Sequence, residues 1–83
     1  MNATEFINAL NDGQFLDCPG KETLISQDSE NGIDKVTIIG SVISVEIPVD
    51  VWGVSPKNPN LVELFYQGER KAAINAENFR VME

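Results

Sequence analysis

The run LVELFYQ, residues 61–67, constrains the fold most, because it is apolar on both faces of an extended strand. Its apolar side chains alternate between the two faces, with Leu61 and Phe65 on one and Val62, Leu64 and Tyr66 on the other. In a chain of 83 residues, the cover for these faces is either an N-terminal helix or another subunit. We therefore expect a small packed core, and we keep open a homo-oligomer that forms through Leu61 and Phe65.

A short helix is predicted over residues 3–11. Asn2 can act as its N-cap with Glu5 three residues later, and the apolar residues that follow lie on one helical stripe. Asp12 and Gly13 end the helix, since Gly readily adopts the left-handed conformation. A helix this short is marginal alone, so we expect it to dock on the rest of the chain.

The rest of the chain is expected to belong to the same single domain, residues 1–83. Residues 12–21 contain a Pro-Gly turn and predict a connector in which Phe15 and Leu16 both point inward. From residue 22 to residue 83, short apolar runs alternate with turn signals. This pattern predicts a β-rich segment.

Two polar stretches predict connections between strands. Residues 27–34, QDSENGID, form the most polar stretch of the chain, and the pair Asn31-Gly32 within it favours a tight turn with positive φ. Residues 54–60, VSPKNPN, contain two prolines and predict the longest loop of the second half.

Residues 43–51 alternate between apolar and polar positions, which predicts a half-buried strand. The apolar side chains of Ile43, Val45, Ile47, Val49 and Val51 are expected on one face. Gly40 precedes this segment and suggests a bulge or a sharp bend, and Pro48 suggests a split strand or a sheet edge.

The end of the chain resembles SH3-like small barrels. Two strands meet at the turn Gly68-Glu69, a single helical turn ends in the aromatic Phe79, and a short terminal strand follows. The resemblance covers residues 36–83 and implies a binding or accessory module, since such barrels recruit partners. We therefore expect a mainly β (α+β) fold, either a small SH3-like barrel or a curled antiparallel sheet, with the short N-terminal helix packed on it.

Charge is distributed unevenly along the chain, whose formal net charge is −7. Residues 1–34 contain seven acids and one base, whereas residues 35–83 contain six acids and five bases. Nucleic acids and anionic membranes bind proteins mainly through Lys and Arg, so an acidic surface disfavours both. We therefore expect a protein partner with a basic surface.

Several kinds of chemistry lack the residues they need. The chain has no His, which excludes Ser-His-Asp and Cys-His pairs, and its one cysteine, Cys18, has no partner for a disulfide. Aligning Gly32 with the glycine of an EF-hand loop places Gln27 at the first ligand position and Ile38 where the bidentate Glu belongs. We expect no catalytic residue, no metal site and no cofactor.

The first residues, MNATEFINALND, lack the basic and apolar regions of a signal peptide. No run of about 18 apolar residues is present either, so a membrane span is not expected. The single cysteine fits a reducing compartment, and we expect a cytoplasmic location.

The sequence thus predicts a non-catalytic interaction protein that docks a basic partner surface through an acidic face. The predicted partner-binding residues are six acids of the first half and the only tryptophan: Asp12, Asp17, Glu22, Asp28, Glu30, Asp34 and Trp52. Trp is enriched at binding hot spots, although a single Trp in a small domain more often lies in the core. A narrower hypothesis is a small inhibitor, from a phage or a mobile element, that mimics the charge of nucleic acid. The alternative is a structural or accessory subunit of a larger complex or of a homo-oligomer.

Overall fold

The computed structural model describes residues 1–82, over which eight strands, one α-helix and one 3₁₀ helix are present. The helices are α1 (Ala3–Asn11) and the 3₁₀ helix (Ala76–Asn78). The strands are β1 (Leu16–Asp17), β2 (Leu24–Glu30), β3 (Ile33–Ile39), β4 (Ser44–Val49), β5 (Val51–Ser55), β6 (Asn58–Tyr66), β7 (Glu69–Asn75) and β8 (Arg80–Val81). The predicted fold class, mainly β with one short N-terminal helix, is confirmed.

The strands form two antiparallel sheets, and the chain passes from one sheet to the other at Asp50. The five-stranded sheet has the order β4-β3-β2-β1-β8, and the three-stranded sheet has the order β5-β6-β7. Within the described residues no ladder joins β7 to β8, and the 3₁₀ helix connects them. The result is a curled antiparallel arrangement whose buried side chains form one core cluster.

Helix α1 packs against β6 and the 3₁₀ helix. At its N-terminus the Asn2 side chain accepts a hydrogen bond from the backbone N–H of Glu5 at 2.8 Å, and the Glu5 carboxylate accepts one from the N–H of Asn2 at 2.9 Å. Phe6 is fully buried and meets Phe79 edge to face, with ring centroids 5.7 Å apart. The predicted helix and its capping are therefore confirmed.

Strand β6 is buried on one face and only partly covered on the other. Val62 and Leu64 are fully buried in the core that α1 helps to close. On the opposite face, the ring of Phe65 lies over Gly53 of β5, with its Cε2 atom 2.9 Å from the position that a Cβ on Gly53 would take. Glycine at position 53 therefore makes room for the aromatic ring.

The two predicted loops are mostly strand. β2 and β3 extend through residues 27–34 and leave only Asn31 and Gly32 in the turn, with φ values of 55° and 77°. Likewise, only residues 56–57 connect β5 to β6, instead of the predicted loop over residues 54–60. Strand pairing satisfies the backbone polar groups of these stretches. Several of their polar side chains, including Asp28, Ser29 and Glu30, remain exposed without a loop, whereas the Oε1 atom of Gln27 is buried.

The apolar residues of the alternating segment 43–51 do not share one face, contrary to the prediction. Val49 is buried, whereas Val51 is 57% exposed. Trp52 takes the inward position instead, directly opposite the buried Leu64. The alternation of side chains between two faces is interrupted at Asp50, because β4 and β5 belong to different sheets.

Two further predictions about inward side chains are wrong. Ile43 lies in the turn between β3 and β4, where the Gly40 N–H donates to the Ile43 carbonyl at 2.9 Å, so Gly40 opens a turn rather than a bulge. Phe15 is 51% exposed, whereas Leu16 is fully buried. Neighbouring residues of an extended chain point to opposite sides, so the two could not both enter the core.

Candidate protein-binding face

One surface of the five-stranded sheet faces away from the core, and we name it the outer face. Cross-strand pairing arranges its side chains in four rows: Ser44, Ile39, Leu24, Asp17 and Arg80; Glu46, Thr37 and Ser26; Pro48, Lys35 and Asp28; Ile33 and Glu30. The residues that alternate with them along β2 and β3 include Ile25 and Val36, which are buried. At one end of the outer face, Leu24 and Ile39 lie beside the ion pair of Asp17 and Arg80. Most of the carboxylates of the face lie in the other rows.

The acidic end of the outer face holds Asp28 and Glu30 beside Lys35, and the side chain of Glu46 reaches Lys35 from the neighbouring row. We name these three acids and Lys35 the acidic cluster. The Lys35 ammonium lies 3.3 Å from Glu30 Oε2 and 3.8 Å from Glu46 Oε2. Asp28 pairs with Lys35 directly across the β2–β3 ladder. The cluster therefore has three carboxylates, two of which contact its one ammonium, and it has a net negative charge. Because Glu30 and Glu46 are mostly exposed, each ion pair contributes only about 0–1 kcal/mol.

The apolar end of the outer face is a shallow groove of about 360 Å³. Its apolar lining comes from Leu24, Ile39 and Met82, and we name it the apolar groove. Leu24 and Ile39 pair across the β2–β3 ladder, and Met82 follows β8, where its N–H donates to the carbonyl of Phe15 at 2.8 Å. Phe15 itself stays half exposed beside this edge. The groove therefore offers solvent-accessible apolar surface at the end of the outer face.

The turn between β3 and β4 adjoins the groove and exposes two further apolar side chains. Gly40 and Ser41 line the groove, and Val42, the next residue, is 90% exposed. Ile43 is 69% exposed. Apolar side chains that lie together on the surface of a small protein often mark a binding site, whereas scattered ones do not.

Three of the predicted binding residues lie on the outer face, and a fourth lies at the rim of the groove. Asp28 and Glu30 belong to the acidic cluster. Asp17 occupies the first row but binds Arg80 through two contacts of 3.2 and 3.4 Å. Glu22 lines the rim of the apolar groove. The sequence prediction therefore located part of this surface.

The other three predicted residues lie elsewhere. Asp12 is the C-cap of α1. Asp34 is on β3 but on the opposite face from Lys35, across from Ser29. Trp52 is partly buried against the core on the inner face of the three-stranded sheet. The structure does not bring these three together with the acidic cluster.

Several residues of the surface escaped the sequence prediction: Leu24, Ile39, Val42, Glu46 and Met82. A signal for two of them exists, because residues equidistant from a two-residue turn pair with each other. The turn at residues 31–32 therefore implies the pair of Leu24 and Ile39, as well as that of Asp28 and Lys35. Glu46 pairs with Thr37 across the turn at residues 40–43, which the sequence analysis interpreted as a bulge or a bend. Met82 follows β8, and no local signal places it at the groove.

Among residues 1–82, no group of three or more Cys, Asp or Glu side chains is arranged to hold a metal ion. No helix of this part of the chain is long and apolar enough to cross a membrane. Comparisons with protein-family models, with curated proteins and with solved structures found no match to the chain.

Proposed function

We propose that this chain is a non-catalytic module that binds another protein, and that the partner presents a basic surface to the outer face. The observation that carries the proposal is the presence of the apolar groove and the acidic cluster on the same exposed face. A formal net charge of −7 adds a long-range attraction for basic proteins.

The two ends of the outer face have different roles in this proposal. The carboxylates of Asp28, Glu30 and Glu46 accelerate encounter and orient the partner, because exposed charges act mainly on association rate and specificity. The apolar side chains of Ile39 and Val42 supply affinity when the partner removes them from water, at about 25 cal/mol per Å² of buried apolar surface.

The test is affinity capture from the source cell with three versions of the chain. The first is the wild type, and the second is an outer-face variant with Asp28→Asn, Glu30→Gln and Glu46→Gln. The third is a charge-matched control that carries Asp12→Asn, Glu69→Gln and Glu77→Gln, which lie off the outer face. We expect the wild type and the control to retain the same partner and the outer-face variant to lose it.

Salt dependence provides a second measurement on the same complex. Exposed charges more than about 10 Å apart are largely screened at about 0.1 M salt, so binding is expected to weaken as salt rises. Capture that is equal for all three versions, and insensitive to salt, would contradict the proposal.

The narrower hypothesis, mimicry of nucleic acid, makes a separate prediction about the captured partner. A mimic occupies the groove in which the partner binds DNA or RNA, so a nucleic-acid duplex would compete with the chain for that partner. Without such competition, the proposal reduces to a basic protein surface in general.

The alternative, a structural or accessory subunit of a larger complex or of a homo-oligomer, is favoured by one observation on the three-stranded sheet. Val51 is strongly exposed beside the partly exposed Phe65, and Leu61 projects from the same face of β6. Light scattering at micromolar concentration tests the homo-oligomeric form. A stable oligomer that Val51→Lys dissociates would support it, and a monomer would exclude it.

A further inference from the structure

The apolar groove and the acidic cluster lie at the two ends of the same pair of strands. Leu24 and Asp28 are four residues apart on β2, and their ladder partners Ile39 and Lys35 are four residues apart on β3. At about 3.3 Å per residue of strand, the two ends are separated by about 13 Å. The row between them holds the neutral side chains of Ser26 and Thr37 next to Glu46.

Lys35 shows how the acidic cluster accommodates a cation. Its side chain is only 28% exposed, and its ammonium lies between the carboxylates of Glu30 and Glu46, at 3.3 and 3.8 Å. The carboxylates that hold it are themselves mostly exposed. Exposed ion pairs of this kind are weak, so a Lys or Arg of another protein can exchange for the Lys35 ammonium at little cost.

We propose that the apolar groove docks an apolar side chain from a segment of another protein, and that a Lys or Arg about 13 Å along this segment replaces Lys35 at the acidic cluster. The inference rests on the proposed function and specifies its partner. Charge complementarity argues for a basic occupant, because the cluster has three carboxylates for one ammonium and a second copy of this chain would bring another charge of −7. In an extended segment, about 13 Å corresponds to a spacing of about four residues.

The probe is a fluorescently labelled peptide in which one Phe and two adjacent Lys residues are separated by about three Gly or Ser residues, which spans about 13 Å when extended. The comparison peptide has the same composition with Phe directly beside the Lys pair. Fluorescence anisotropy at low salt measures the dissociation constants. We expect the spaced peptide to bind about fivefold more tightly, since only this peptide reaches both ends of the outer face.

The decisive variant is Lys35→Met, which removes the competing ammonium and keeps an aliphatic side chain. We expect it to bind the spaced peptide about threefold to fivefold more tightly than the wild type. Lys57→Met is the matched control, because Lys57 lies in the β5–β6 turn and its loss changes the net charge equally. A general attraction between opposite charges would affect both variants alike.

Replacement of Ile39 by Asn tests the groove, and replacement of Val51 by Asn is its control on the other sheet. We expect the first change to remove the advantage of the spaced peptide and the second to leave it intact. Equal binding of the two peptides, no binding of either, or equal effects of Lys35→Met and Lys57→Met would overturn the inference. The proposed function would survive these results if the outer-face variant still failed to capture the partner, so the two failures are distinguishable.

Discussion

The carboxylate of Asp50 accepts a hydrogen bond from the backbone N–H of Gln67 at 3.0 Å. Asp50 is the single residue between the two sheets, and its own N–H donates to the carbonyl of Phe65 at 2.9 Å. Gln67 has a φ of 52° in the turn between β6 and β7, a conformation that is unfavourable for a residue with a side chain. The junction between the sheets therefore also holds this turn in place.

Removal of this acceptor should destabilise the fold. We expect Asp50→Ala to lower the free energy of unfolding by about 1 kcal/mol, because the N–H of Gln67 loses its partner. Asp50→Asn keeps a side-chain oxygen at the same position and should lower it less. Urea unfolding measures the difference. Equal losses for the two variants would show that the hydrogen bond to Gln67 is not the cause.

A methyl group at position 53 should collide with Phe65. Its ring atom Cε2 lies 2.9 Å from the place of the new Cβ, so Gly53→Ala forces the ring or the strand to move. We expect a loss of about 0.5–1.5 kcal/mol in the free energy of unfolding, the typical cost of turning a side chain away from its preferred rotamer, because the Phe65 ring is only partly buried. The double variant with Phe65→Leu should recover part of this loss. Additive effects of the two changes would contradict the collision.

The contact between Phe6 and Phe79 should couple α1 to the end of the chain. The rings meet edge to face at a centroid distance of 5.7 Å, an arrangement that contributes about 0.5–1.5 kcal/mol beyond the burial of area. We expect a double-mutant cycle with Phe6→Leu and Phe79→Leu to give a coupling energy in that range. Zero coupling in thermal or urea unfolding would argue that the two rings act independently.

Truncation of the adjacent residues 15 and 16 should destabilise the protein to very different extents. Leu16 is fully buried, so Leu16→Ala should lower the free energy of unfolding by about 2–5 kcal/mol. Phe15 is half exposed, and we expect Phe15→Ala to cost well under half as much. Urea unfolding of the two variants measures both losses in the free energy of unfolding. A larger loss at position 15 would restore the sequence-based expectation that Phe15 points inward.

The candidate binding surface was only partly predictable from the sequence. The acids of the first half of the chain indicated a negative surface, and Asp28 and Glu30 do lie in the acidic cluster. Its third carboxylate, Glu46, comes from β4, which pairs with β3 across the turn at residues 40–43, and the interpretation of Gly40 as a bulge or a bend concealed this hairpin. Asp34, in contrast, was predicted to belong to the binding surface but lies on the opposite face of β3. A shift of one position along a strand moves a side chain to the other face. The distribution of charge along the chain therefore predicts that the surface is negative, but it does not predict which residues form that surface.

The sequence by itself determined the elements that depend on neighbours within a few residues. The capping box of Asn2 and Glu5 defines the start of α1, and the positive φ values of Asn31 and Gly32 define the β2–β3 turn. The tertiary structure decided which side chains enter the core. Trp52 points inward and Val51 outward because the face of the β5–β6 ladder that carries Trp52 and its partner Leu64 packs on the core, whereas Val51 and its partner Phe65 lie on the other face. Packing against the rest of the core selects one of the two faces of a strand, and a local pattern of alternation fits either choice.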